Sequence, residues 1–588
     1  MGDTQSTSSG GEWALDRRKF VVRAAATTAL AGLALDRLAD SARAAPGADI
    51  EEATIAELGA AIAAGRETSV SLVNKYLARI EALDRRGPNL NSILELNPDA
   101  HSIAAALDRE RRARGVRGPL HGIPIVLKDN IDTADRMQTA AGSLALVGTA
   151  PAQDSTVAAK LRQAGAVILG KTNLSEWANF RGFFSSSGWS GRAGQCRNPY
   201  VVDRNPCGSS SGSGIAVSAN LSAVSLGTET DGSIVCPSNA NGVVGIKPTV
   251  GLTSRAGVVP ISASQDTVGP HGRTVADAAA VLGAIASTTP DPRDPATSTG
   301  PTGPRGAVFS NYTQFLDPNG LTGARIGVPR AGIFDFTTEE VNRVFEDALD
   351  AMRDAGATIV DPADFPGPII DQINAFFEEL VVLIFEFKRD LNAYLATRHG
   401  VALDREGFPK TLAGLIAFNE AHADEELKWF GQQIFELSEA EIFDQATYDA
   451  AAPEARRIGG PDGIDAVLAQ FDLDALVSPT DQPAWPVDLV NGDHFIFGTS
   501  SPAAIAGYPI INVPMGEAFG LPLGISFYAG AFSEPTLIKL ASGFEAATRA
   551  RRKPELLATL AFENPTSGPG KGRKPTLPGA LRATPRRI

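Results

Sequence analysis

The chain has 588 residues, 43% of them hydrophobic, with three cysteines, six histidines and a formal net charge of −14. Such a length buries a large core, and the acidic balance excludes a nucleic-acid surface as the main business, because phosphate binding needs clustered Lys and Arg. No apolar run reaches the roughly 18 residues that a membrane span needs, and Cys196, Cys207 and Cys236, odd in number and without metal-ligand spacing, read as buried free thiols.

In chain order, "DRRKFVV" (Asp16 to Val22) sets two arginines before the apolar run Ala24 to Leu35, and Ala42-Arg43-Ala44 supplies small residues for cleavage. The pattern is similar to a twin-arginine export signal, although Asp16 stands where Ser or Thr is usual. It implies a signal over residues 1–44, a mature chain starting near Ala45, a periplasmic or extracellular location, and no stable membrane insertion after processing. Helical spacing then runs through "TIAELGAAIAAG" and "SVSLVNKYLARIEALDRR", and "IPIVLK" (Ile123 to Lys128) reads as a short buried strand ending at a lysine. "STVAAKLRQAGA", "TVADAAAVLGAIA", "VNRVFEDALDAMRDAG" and "PTLIKLASGFEAATRARR" read as helices; "VILG", "AVSLG", "ARIGV", "TIV", "ALVS" and "IINV" read as strands.

The Pro- and Gly-rich segment Ser287 to Gly306 divides the chain and has the composition of a linker. The same alternation of strands and helices lies on both sides of it, which predicts an α/β fold around one continuous sheet. After Asn564 the Pro, Gly and basic residues lack apolar periodicity and read as a disordered tail over 563–588, leaving 45–562 as one domain.

Two motifs match by letters only. "GAVILGKT" (Gly165 to Thr172) fits the phosphate-loop expression, but Ala-Val-Ile-Leu between its glycines forms a strand and cannot curl around a phosphate. "GSSSG" (Gly208 to Gly212) fits a nucleophile elbow centred on Ser210, yet a polar run and Pro206 precede it where a buried strand is required. The histidines that follow it, His271, His399, His422 and His494, sit in no recognisable loop signature. What remains is Lys128 at a strand end, Ser209 between glycines, and Ser233 in a Gly-bounded turn. A desolvated lysine loses charge and can act as a base, and Ser-Lys pairs are established means of activating a hydroxyl.

The quoted segments "GIPIVLKDN", "CGSSSG", "GTETDGS" and "GVVGIKPT", with a step of 24 residues from Ser209 to Ser233, closely resemble the amidase signature family from about residue 50 to 550. "GKTNLSEWANF" and "IAGYP" extend the likeness. The resemblance implies a single large domain with a mixed, twisted β-sheet core covered by helices on both faces. It also implies roles: Ser233 as acylated nucleophile, Ser209 as the bridging serine beside a cis peptide bond, Lys128 as neutral base, and the backbone amides of Thr230, Asp231, Gly232 and Ser233 as oxyanion hole. Ser210 and Ser211 are left to backbone geometry and hydrogen-bond support. No metal or cofactor is expected.

The chain departs from the family pattern at Glu229, Asp231, Cys207 and Ser211. Asp231 reads either as a turn residue capping its own backbone or as an acceptor for substrate N–H groups. These variants, with "SEWANFRG" and "SGWS", resemble most the peptide amidase branch, which removes the C-terminal amide of peptides and releases ammonia. A short amidated peptide or small amide is then the expected partner. The alternatives are a general aliphatic or aryl amidase, or an esterase, of the same mechanism. A transamidase component that works on charged tRNA is opposed by the export signal and the acidic charge, and a binding protein with a dead site by the intact Lys128, Ser209 and Ser233.

Overall fold

The computed structural model describes residues 49–148, 151–367, 369–398 and 409–560. The stretches read as an export signal, 1–44, and as a disordered tail, 563–588, lie outside them. Within them, eleven strands form one sheet: β1 (Ile93–Leu96), β2 (Pro124–Lys128), β3 (Val167–Thr172), β6 (Val224–Glu229), β7 (Val244–Lys247), β8 (Thr267–Gly272), β9 (Arg325–Gly327), β10 (Thr358–Val360), β11 (Ala475–Pro479), β12 (Ile510–Ala518) and β13 (Leu521–Tyr528). The short strands β4 (Trp189–Ser190) and β5 (Gly194–Gln195) pair separately.

The order across the sheet is β1-β3-β2-β6-β8-β7-β12-β13-β11-β9-β10. β2 runs parallel to β3 and β6, and β9 runs parallel to β10 and β11, whereas the pairs around β7, β8, β12 and β13 are antiparallel. The sheet is therefore mixed, with helices packed over it, as the α/β reading predicts. Every residue of β2, β3 and β6 is buried, which is why these strands read as continuous apolar runs rather than as alternation.

The two halves of the chain join where β7 meets β12, with Ile510 opposite Lys247 and Asn512 opposite Gly245. The segment Ser287 to Gly306 is no free linker. Its Asp294 carboxylate accepts both Nε and Nη2 of Arg255, at 2.9 and 2.6 Å, and its Asp291 accepts the Ser254 hydroxyl at 2.7 Å. The false phosphate loop is strand β3, and the Lys171 ammonium is spent on the Ile131 carbonyl at 2.6 Å and the Thr139 hydroxyl at 2.8 Å.

The cysteine reading needs correction. Cys207 and Cys236 form a disulfide with Cα atoms 5.9 Å apart, and Cys196 alone is a buried free thiol. The odd count concealed one pair plus a remainder, and 29 residues of sequence separate two positions that the sheet brings together. Closing a loop of that length restricts the unfolded chain and stabilises the fold by about 3 kcal/mol. The double variant Cys207→Ala with Cys236→Ala is expected to unfold at a lower urea concentration than the parent, by a stability loss of that size; an unchanged midpoint would show that the bridge contributes nothing.

Candidate active site

The site is assembled at the C-terminal ends of the parallel strands β2 and β6. β2 delivers Lys128, wholly buried, with its Nζ donating to Ser209 Oγ at 2.7 Å, to Thr228 Oγ1 at 2.9 Å and to the Thr228 carbonyl at 3.3 Å. Asn130 Nδ2 donates to the same Thr228 hydroxyl at 2.9 Å. Burial is the main influence on the amine and pushes its pKa down to about 7; the nearby Asp266 and Glu229 pull it back only in part.

Ser209 follows a cis peptide bond from Gly208. Glycine is required at 208 by close approach: a Cβ there would lie 2.2 Å from Ser175 Oγ. The next serines support the backbone. Ser210 Oγ donates to the Thr228 carbonyl at 3.1 Å, and Ser211 Oγ donates to the Cys207 carbonyl at 2.6 Å. The helix they open, Ser211–Ser218, is buried along its whole length, and its first four residues, which pass closest to neighbouring backbones, are Ser and Gly alone.

Ser233 sits in the turn between β6 and the helix Val235–Ala240, after Gly232 at φ +76°, where L side chains are strained. Two ties bring this turn to the Ser209 loop: Ser210 N–H donates to the Ser233 carbonyl at 3.1 Å, and the Cys207–Cys236 disulfide joins the flanking residues. Ser209 and Ser233 face one cavity of about 10 Å³, together with Asn130, Thr230 and Asp266. Among the described residues, none accepts the N–H of Asp231, Gly232 or Ser233, so these donors are open to a ligand.

The carboxylates around the turn hold its shape. Glu229 Oε2 accepts the N–H groups of Ile234 at 2.6 Å and Val235 at 2.9 Å, closing the start of the helix that follows Ser233. Asp266 accepts the Thr230 hydroxyl at 2.6 Å and the Ile261 N–H at 2.8 Å, and burial lifts its pKa to about 6. Asp231 is no self-capping turn residue. Its carboxylate accepts the hydroxyls of Ser500 and, at 2.6 Å, Ser501, at the start of the helix Ser501–Ala506. Its dense surroundings raise its pKa, and the two hydroxyls oppose that rise. His271 is buried with Nδ1 at 2.9 Å from Ser238 Oγ, and burial pushes its pKa down to about 3, so it stays a neutral structural group.

The geometry therefore unites Lys128, Ser209 and the turn carrying Thr230, Asp231, Gly232 and Ser233. Sequence reasoning missed Thr228, Asp266, Ser500 and Ser501. Asn130 and Thr228 stood inside the quoted motifs without an assigned role, whereas Ser500 and Ser501 come from a stretch about 270 residues away and carried no signal.

The chain belongs to the amidase family: the family model described as Amidase matches residues 71–538. It is an amidase, a hydrolase. Solved structures of the native peptide amidase from Stenotrophomonas maltophilia, and of a peptide amidase in complex with the competitive inhibitor chymostatin, are each 51% identical to it. Each match covers 86% of this chain and 99% of the other with a TM-score of 0.79. A protein of Arabidopsis thaliana named "Probable amidase" is 42% identical over 87% of this chain and 92% of its own. A glutamyl-tRNA(Gln) amidotransferase subunit from Symbiobacterium thermophilum is 32% identical over 84% of this chain and 96% of its own.

Removing the Glu229 carboxylate strands two N–H groups in a dry site, at about 1–3 kcal/mol. Glu229→Ala is expected to unfold earlier in urea than Glu229→Gln, which retains an acceptor oxygen; equal stability of the two would show that the turn holds without it.

Proposed function

We propose that the protein hydrolyses the C-terminal amide of short peptides through a Ser233-Ser209-Lys128 relay. The observation that carries the reading is the buried lysine amine bonded to Ser209 beside the Ser233 turn. A neutral amine has two N–H donors and one lone pair. The two oxygens of Thr228 match the donors, which leaves the lone pair for the Ser209 hydroxyl proton. Lys128 takes that proton, Ser209 takes the proton of Ser233, and the Ser233 oxygen attacks the amide carbon. The resulting oxyanion is stabilised by the N–H groups of the turn from Thr230 to Ser233, those of Asp231, Gly232 and Ser233 being open donors. Ser209 then protonates the leaving nitrogen and is itself reprotonated by Lys128. Ammonia departs, and water repeats the sequence to release the acid.

A peptide substrate is supported by the likeness to the peptide amidase, and by Asp231, each of whose oxygens keeps free lone pairs for a substrate N–H beyond the single serine donor. Export is the accompanying proposal. It is supported by the paired arginines at 17 and 18 and by a disulfide, which persists in oxidising compartments. The general amide hydrolase and the esterase remain as outcomes of the same assay: ammonia from an amidated dipeptide, set against cleavage of a simple aryl amide and an ester. Preference for the amidated dipeptide is expected.

Ser233→Ala is expected to abolish turnover, and Ser209→Ala and Lys128→Ala each to lose on the order of 10²-fold or more in kcat with folding intact. Near-normal turnover in any of the three would remove that residue from the relay.

Because the neutral amine is the active form, kcat/KM should fall as pH drops through about 7, tenfold per unit, and hold a plateau into alkaline solution. Lys128→Arg retains the charge and cannot deprotonate, so it should be as damaged as Lys128→Ala at every pH. An acid limb that survives in either variant assigns the base elsewhere.

The relay draws on no metal, so activity should survive exhaustive chelation; a rate restored by added divalent ions would contradict the scheme.

A further inference from the structure

Beside the Ser233 turn lies a second and much larger cavity, of about 1020 Å³. Its walls are apolar and aromatic, with Phe336, Phe365, Phe376, Phe497 and Ile505 among them, drawn from separate parts of the chain. Ser501 belongs to the same wall, and its hydroxyl is the one that binds Asp231, two residues before Ser233. The neighbouring Ser500 Oγ comes within 3.2 Å of where a Cβ on Gly232 would stand. The cavity thus borders the acylation turn through the segment Thr499 to Ser501.

Its volume is at the upper end for small-molecule sites and takes more than one side chain. At its mouth Phe336, Phe376, Phe495 and Ile496 are between 50% and 67% exposed. A cluster of large apolar side chains left in water on one rim marks a binding surface. At that rim Arg457 pairs with both Asp462 and Glu454, so its charge is already met by neighbouring carboxylates and is not held out for an acidic ligand.

We infer that this cavity is the side-chain subsite of the enzyme and selects peptides whose last two residues are large and apolar. The inference rests on the reading of Ser233 as nucleophile for C-terminal peptide amides. In such a substrate the backbone N–H of the amidated residue lies one Cα away from the carbonyl under attack. With the carbonyl at Ser233, that N–H falls to a free lone pair of Asp231, and the side chains lead past Ser501 into the aromatic space. A lipid or a simple aryl amide would fill the cavity without using the Asp231 acceptor. Ala466, half-buried on the same wall, is the position from which a larger residue would block it.

The test compares ammonia release from N-acetyl-Phe-Phe-amide and N-acetyl-Gly-Gly-amide by the parent, by Ala466→Phe, which narrows the cavity, and by Phe336→Asp, which charges its mouth. The parent is expected to favour the Phe peptide by on the order of 10- to 100-fold in kcat/KM, mainly through KM, as burial of aromatic side chains implies. Each variant should reduce that ratio roughly tenfold. Phe336 is exposed, so its variant reports even where Ala466→Phe fails to fold. A ratio near one in the parent, or a ratio unchanged by Phe336→Asp and by folded Ala466→Phe, overturns the inference and leaves the peptide reading standing. Cleavage of benzamide with neither dipeptide amide hydrolysed overturns the peptide reading and the subsite together.

Discussion

The site depends on withholding water from one amine. Lys128 lies at the end of a strand with both flanks covered, and its nearest carboxylates, Asp266 and Glu229, make no direct ion pair with it. A salt bridge would have fixed the charge and removed the lone pair. Instead the sheet surrounds the amine with neutral oxygens, those of Thr228 and Ser209, and the carboxylates are committed elsewhere: Glu229 to the Ile234 and Val235 amides, Asp266 to Thr230 and the Ile261 amide. The loop that carries Ser209 is tightly packed as well: a Cβ at Gly208 would lie 2.2 Å from Ser175 Oγ, and one at Gly212 would lie 2.4 Å from the Ser92 carbonyl oxygen.

Much of this was legible in the sequence, because the residues that meet at the site lie in short, local patterns. The strand ending in Lys128, the serine between glycines and the Gly-bounded turn each signal backbone geometry within a few residues. Apolar runs located β2, β3, β6 and β11 for the same reason. The antiparallel strands were less readable: β8 carries Pro270 and three residues of Gly or His in "TVGPHG", a composition that resembles a turn. The helix Ser211–Ser218 has no amphipathic stripe, since it is buried on all sides, and gave no periodicity to read.

What the sequence hid was long-range pairing. Asp231 could be a self-capped turn or a free acceptor on local grounds alone; its serine partners at 500 and 501 are joined to it only by the topology that sets β7 against β12. The cysteines failed in the same way. Their spacing from Ser209 and Ser233 was plain, at two residues before and three after, but no rule of sequence says that the two motifs touch. The segment from Ser287 to Gly306 has the composition of a linker, but the alternation on both sides of it pointed to one sheet, and its Pro and Gly serve packed turns that hold Asp291 and the buried Asp294.

The seam between β7 and β12 also sets the order in which the enzyme comes into being. A nascent chain emerging from the ribosome has Lys128, Ser209 and Ser233 in hand before half of it is made, yet the serines that hold Asp231 and the strand that closes β7 follow only after residue 500. The incomplete chain thus carries Lys128, Ser209 and Ser233 with an open sheet edge and an Asp231 lacking its two hydroxyl partners. The packing around Asp231 and β7 is thus completed only by residues made near the end of the chain.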